Sequence, residues 1–382
     1  MKGKTIAIQV ALVSALLFCL CAPLQFGQTA SAQSGSTWSK YGPAARYQHT
    51  AIYDASSDKM VIFAGKHTTG SQNFNDVWWV TNVTTVACLP PCSLQWMLAG
   101  STGSLPAARF GHTAVYDSAN LRMMVFGGGE GVTIPPPCEN DVHVLENATG
   151  VGGTPKWITL KPAGTLPAAR YSHTAVYDAA DNEMIVFGGN DCGLTYFNDV
   201  WVLSFANGLG GTPTWSQLSP SGSAPGPRAF ASAVYDAVND NMIVFGGYNG
   251  SPYGDLWMLT HASGVSGSPA WVQLNPTGTA PPATYQHSAV YDPASNRMII
   301  YGGDTATATD LTNTWVLANA NGIGGTPFWT QTSSSGPPRA LQSAIYASSA
   351  NKMVIFGGLV PTSEQGNPVD DHVWVLNDAN GL

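Results

Sequence analysis

The 382-residue chain sets 15 Lys and Arg against 23 Asp and Glu, a formal net charge of −8, and only 10% of its residues are charged. Binding to a phosphate backbone needs clustered Lys and Arg, so this balance argues against a nucleic-acid partner. With 42 Gly, 26 Pro and 44% hydrophobic residues, the composition suits many short strands joined by tight turns rather than helices.

The first 32 residues differ from the rest. Lys2 and Lys4 precede an apolar stretch from Ile6 to about Leu20, and Ala30-Ser31-Ala32 supplies the small residues a signal peptidase requires. Residues 1–32 are therefore expected to be a signal peptide cut after Ala32, which places the mature protein outside the cytoplasm, secreted or periplasmic, with no membrane span left. An uncleaved anchor is the alternative, the apolar run being nearly long enough to span. Cys19 and Cys21 fit a lipoprotein site badly, because Phe18 and Leu20 stand where small residues are wanted.

Residues 33–382 are expected to form one domain, because a single pattern repeats through them six times. Each unit centres on a Tyr: Tyr53, Tyr116, Tyr177, Tyr235, Tyr291 and Tyr346. Seven residues before it stand Arg46, Arg109, Arg170, Arg228, Thr284 and Arg339. Four residues before it, His49, His112, His173 and His287 occupy four of the units, with Gln342 in the last. A second run such as Met184-Ile185-Val186-Phe187 follows, with the length and β-branched content of a buried strand, and a glycine pair such as Gly188-Gly189 stops it. A third run carries Trp78, His143, Trp201, Trp257, Trp315 or Trp374, and a fourth opens at Trp96, Trp157, Trp215, Trp271 or Trp329. Unit six has no fourth run after it; the missing piece stands at the other end of the chain, at Trp38. Four-stranded units closed by a strand around Trp38 make an all-β ring, a six-bladed β-propeller.

The Gly-Gly doublet, the Trp at constant offset and the Pro-Arg segment before the first strand resemble kelch repeats, from about Trp38 to Leu382. The resemblance implies that the first strand lines a central channel and the fourth lies outside. It also implies that the four-to-one and two-to-three connections share one face. The copper enzymes of the galactose-oxidase type resemble this chain in blade type alone. They need a Tyr–Cys cross-link and a ligand from an additional domain, and nothing in this sequence corresponds to either. Exported sialic-acid mutarotases are similar in size and compartment; a likeness in activity requires a Glu and an Arg at the channel mouth, and Glu130 with Arg109 or Arg170 would serve.

The candidate ligand-binding residues fall in two groups. Arg46, Arg109, Arg170, Arg228 and Arg339 should gather at one mouth of the channel, where guanidinium groups bind carboxylate or phosphate. Their regular recurrence also fits a structural role, paired with Asp76, Asp141, Asp199 and Asp255 of the next blade. The unequal two-to-three loops bring Glu130, Asp191, Tyr196, Tyr248 and Asp304, a mixture suited to glycan or peptide recognition. The four histidines converge on the channel, but from different blades, so a structural hydrogen bond is expected and no metal or other cofactor. Cys88, Cys92, Cys138 and Cys192 are disulfide candidates in an exported chain. No P-loop, G-x-S-x-G or H-E-x-x-H motif is present. The reading is a monomeric binding module for a glycan, peptide or protein, with a small carbohydrate enzyme as the alternative.

Overall fold

In the computed structural model the described residues are 42–67, 73–84, 94–131, 133, 135–307, 311–360 and 369–382. The expected signal segment, residues 1–32, and Trp38, Cys88 and Cys92 lie outside them. The six repeats form six antiparallel sheets. Blade 3 shows the unit: Thr174–Asp178, Glu183–Phe187, Val200–Ser204 and Thr214–Leu218 lie side by side in that order. Blade 6 has three strands among the described residues, Ser343–Ala347, Lys352–Phe356 and Val373–Asn377. Among them no helix is long and apolar enough to cross a membrane.

The core lies between blades rather than within one. Side chains alternate across a strand, so each second strand feeds two interfaces. Met184 and Val186 pack toward blade 2 with Val144 and Phe126, while Ile185 and Phe187 pack toward blade 4 with Met242 and Val244. This explains why the second run is apolar throughout. The ring closes in the same manner, with Met60 and Ile62 of blade 1 against Val354 and Phe356 of blade 6.

The glycine pair serves this close packing. Gly188 has φ +68°, and a Cβ there would lie 2.7 Å from the Arg228 carbonyl oxygen of the next blade. The Gly189 amide donates to that oxygen at 2.8 Å. In blades 1 and 2 the pair does not stop the strand as expected. Lys59–Lys66 and Arg122–Glu130 run through it with a shift of register, a bulge that carries the ladder out into the loop. A further lacing was not legible in the repeat. The segment leaving a fourth strand pairs in parallel with the fourth strand of the following blade, as Thr102–Gly103 does with Lys156 and Trp157.

Each fourth-strand Trp lies on a second-strand aromatic of the preceding blade, as Trp215 does on Phe126 with ring centroids 4.9 Å apart. Trp157 on Phe63, Trp271 on Phe187, Trp329 on Phe245 and Trp96 on Phe356 repeat the contact. In blade 5 the equivalent residue is Tyr301, which lines a groove of about 450 Å³ with Met353, Ile355 and Trp374. Trp374 is 42% exposed, against 5% for Trp201 in the same place of blade 3. The closing strand expected around Trp38 lies outside the described residues. Deleting residues 33–41 should lower the melting temperature, since burying one Trp is worth about 2–3 kcal/mol by area. An unchanged melting curve would remove Trp38 from the ring.

Candidate functional site

The recurring arginine comes first, because the structure gives it a different place from a ligand ring. Arg46, Arg109, Arg170 and Arg228 are at most 1% exposed and Arg339 is 4% exposed. Arg170 donates from Nε to the Ala168 carbonyl at 3.0 Å and from Nη1 to the Gly188 carbonyl at 2.9 Å. Its two terminal nitrogens grip Asp199 at 2.7 and 2.9 Å, a bidentate pair. Arg46 with Asp76, Arg109 with Asp141 and Arg228 with Asp255 repeat this, and Arg339 pairs with Asp370. Each partner belongs to the same blade as its Arg, not to the next. These guanidinium donors are taken up inside the frame and do not face a ligand.

The same carboxylates also hold the third strand. The indole N–H of Trp201 donates to Asp199 at 2.7 Å, and that of Trp257 to Asp255 at 2.7 Å. In blade 2, where His143 replaces the Trp, its Nε2 makes the same bond to Asp141 at 2.8 Å. That irregular residue is therefore a conservative replacement within the frame. Although burial alone would raise them, bonds from Arg109 and His143 hold Asp141, and bonds from Arg170 hold Asp199, below the ordinary carboxylate range. In blade 5 both partners change together: Thr284 stands for the Arg and Asn313 for the Asp. A pair that is lost as a pair marks a structural unit.

The histidines form a second ring of blade-to-blade bonds. Nε2 of His112 meets Thr50 Oγ1 at 2.8 Å, His173 meets Thr113 at 2.8 Å, and His287 meets Ser232 at 2.7 Å. His49 joins blade 1 to blade 6 through Ser343 at 2.7 Å, and Gln342 bonds Ser288 at 3.1 Å in the same role. Burial pushes His112 and His287 down to about 3 and holds His49 and His173 well below the ordinary value; Arg109, Arg46 and Arg170 add to the first, third and fourth. Neutral imidazoles bonded across blade boundaries do not converge on one ion. Among the described residues the acid and His side chains close enough to share a metal are Asp370, Asp371 and His372, and Asp370 is already the partner of Arg339.

Around the neck of the channel lies a closed circle of backbone hydrogen bonds. The amides of Gln48, Gly111, Ser172, Phe230, Gln286 and Leu341 each donate to the equivalent carbonyl of the preceding blade, at 2.6 to 3.0 Å. All six residues adopt φ between 52° and 62°, a left-handed conformation that turns each amide and carbonyl along the circle. Their side chains are left to vary.

Over blades 3 to 5 this circle carries a crown of aromatic rings. Tyr171 contacts Phe230 at 5.9 Å between centroids, Phe230 contacts Tyr285 at 6.3 Å, Tyr285 contacts Tyr248 at 4.8 Å, and Tyr248 contacts Tyr196 at 6.5 Å. All five are half-buried. Backbone bridges fix them: Tyr171 pairs with Asn190, Asn190 with Tyr196, and Tyr285 with Asp304. The Tyr285 hydroxyl donates to Asp304 at 3.1 Å. Three of the loop candidates, Tyr196, Tyr248 and Asp304, thus meet at one place. Sequence reading missed Tyr171, Phe230 and Tyr285, which stand one or two residues after the aligned Arg or Thr; the signal was the aromatic run at that offset, Tyr47, Phe110, Tyr171 and Tyr285.

The other candidates are placed differently. Asp191 is exposed and its carboxylate caps its own turn, accepting from the Gly193 and Thr195 amides at 2.9 and 3.1 Å. Glu130 reaches Arg109 at 3.2 Å, as the mutarotase likeness asks, but that Arg is fully buried and shared with Asp141. Cys138 and Cys192 form a disulfide that ties the two-to-three loops of blades 2 and 3 together beside the crown.

A family model for the attractin/LZTR1 β-propeller matches residues 152–373, and one for the KLHDC2/KLHL20/DRC7 kelch-repeats domain matches residues 29–151. The chain is a kelch-repeat β-propeller. Its sequence is 30% identical to human host cell factor 1 over 282 residues, which is 70% of this chain and 12% of that protein. Human host cell factor 2 is 29% identical over 279 residues, 68% of this chain and 31% of the other. The dynein alpha chain of the flagellar outer arm of Chlamydomonas reinhardtii is 28% identical over 221 residues, 55% of this chain and 4% of that one. This kelch chain thus spans under a third of the length of these relatives. The solved structure of YjhT shares the fold, with a TM-score of 0.61 at 15% identity, covering 88% of this propeller and 99% of YjhT. A kelch propeller with such relatives is consistent with a binding or interaction module.

Proposed function

We propose that this propeller is an exported, non-enzymatic binding module that holds a glycan, peptide or protein ligand on its aromatic crown. The observation that carries the reading is the connected run of Tyr171, Phe230, Tyr285, Tyr248 and Tyr196 at the channel neck, on a frame whose arginines are committed elsewhere. Rings that are half-exposed and fixed by backbone bridges lose little freedom on binding, which favours recognition. The Cys138–Cys192 disulfide supports an oxidising compartment, in line with a leader cut after Ala32.

Glycan and peptide arrays probed with the wild type and with Tyr248→Ala test the crown. Ligands retained by the wild type are expected to be lost, or weakened at least tenfold, in the variant, since a buried aromatic anchor typically contributes 2 kcal/mol or more. Equal retention by both proteins would move the site off the crown. N-terminal sequencing of the exported protein is expected to begin at Gln33.

A further inference from the structure

Resting on the crown as the binding face, we infer that its ligand is a cationic peptide segment bearing Arg or Lys. The charge left on this face after the frame pairs are taken out decides the sign. Arg46, Arg109, Arg170, Arg228 and Arg339 are matched by Asp76, Asp141, Asp199, Asp255 and Asp370. Among the described residues of the loops on this face, the other carboxylates are Glu130, which also reaches Arg109, Asp371, which lies 3.5 Å from His372, and Glu139, Asp191 and Asp304. The cations beyond them are Lys66 and, at the outer end of the blade 2 fourth strand, Lys161. Lys66 is itself stacked on Phe110, 4.6 Å from the ring centroid.

An anionic ligand would therefore meet no guanidinium free of an internal partner and several carboxylates. A cation meets the opposite: ring faces, whose quadrupole attracts positive charge, with the Asp304 carboxylate held at the Tyr285 hydroxyl. The molecule also shows the contact in its own frame. Arg46 lies 4.3 Å from the Phe74 centroid, Arg170 4.5 Å from Phe197 and Arg228 4.2 Å from Tyr253. At the Tyr171 end the adjoining Phe110 ring, 6.2 Å away between centroids, already carries Lys66, while Tyr248 packs on the ring whose hydroxyl bonds Asp304, a carboxylate that can pair with an incoming cation.

Isothermal titration of the mature protein with three probes tests this: a short Arg-Gly peptide, the matching Glu-Gly peptide, and a neutral oligosaccharide. Binding of the Arg-Gly peptide is expected, weakened at least tenfold by Tyr248→Ala and at least fivefold by Asp304→Asn, retained by Tyr248→Phe, and reduced by added salt. Asp181→Asn, in the turn at the opposite end of blade 3, controls for general attraction to an acidic protein and is expected to leave the affinity unchanged. Preference for the Glu-Gly peptide, or oligosaccharide binding that Tyr248→Ala abolishes and Asp304→Asn spares, overturns the cationic assignment while leaving the crown in place. Arg-Gly binding that neither crown variant changes overturns both.

Discussion

Replacing Arg170 by Ala should lower the stability of the propeller by about 3–5 kcal/mol, the usual cost of leaving one member of a buried ion pair alone. Arg170 is fully buried, and its loss strips Asp199 of two bonds and the Gly188 and Ala168 carbonyls of one each. Blade 5 supplies the rescue experiment, since it carries Thr284 and Asn313 at these two positions. The double change Arg170→Thr with Asp199→Asn is expected to be less harmful than the sum of its single changes, by more than 1 kcal/mol in a urea-unfolding cycle. Additive effects would mean that Arg170 and Asp199 are not a unit. The same result would also restore a ligand-binding role as a reason for the arginine.

The second large effect is loss of stability in acid. His112 and His287 have folded pKa values near 3, and His49 and His173 are also held far below 6.5, chiefly by burial. Above 6.5 these groups are neutral in both states and the full stability is present. Below 6.5 the unfolded chain takes up protons that the folded ring refuses, so stability falls until the pH reaches the folded pKa values. Each imidazole adds a slope of up to about 1.4 kcal/mol per pH unit. Two groups act in the opposite sense. Burial and the neighbouring Asp181, Asp178 and Asp240 push Glu183 up to about 7, and Glu139 is also raised, so both gain stability as the pH falls toward 4.5. Four imidazoles outweigh two carboxyls, and below pH 4 the lowered Asp141, Asp199 and Asp255 add to the loss. The melting temperature should therefore fall from pH 6.5 to 4. His173→Gln should flatten that fall by about one proton, because Gln342 already fills this role in blade 6. A melting temperature that holds steady or rises across this range would contradict the account of the histidine ring.

The two effects explain what the sequence disclosed and what it hid. Blade count, strand order and the buried second strand were legible because packing between blades requires the same residues six times. The glycine pair was legible for the same reason, though not its use as a bulge in blades 1 and 2, which depends on loops of unequal length. Arg170 was visible as a regular residue, but its direction was not. Whether a guanidinium faces solvent or its own blade depends on Asp199, 29 residues later, and that spacing varies from blade to blade. Tyr196, Tyr248 and Asp304 stood out in irregular loops. Tyr171, Phe230 and Tyr285 were hidden inside the regular segment, at positions where the backbone repeats and the side chains are free to differ. The crown therefore has one half in the loops and one half in the frame.

The central claim is that the regular arginines build the ring and the aromatic crown binds. Blade 4 holds one of each, Arg228 and Tyr248, so two variants suffice. Melting temperature and Arg-Gly peptide affinity should be measured side by side for Arg228→Lys and Tyr248→Ala. The expected result is a lower melting temperature with unchanged affinity for the first, and an almost unchanged melting temperature with affinity lost for the second. The reverse, affinity lost in Arg228→Lys at full stability and kept in Tyr248→Ala, would place the binding site on the arginines and contradict the claim.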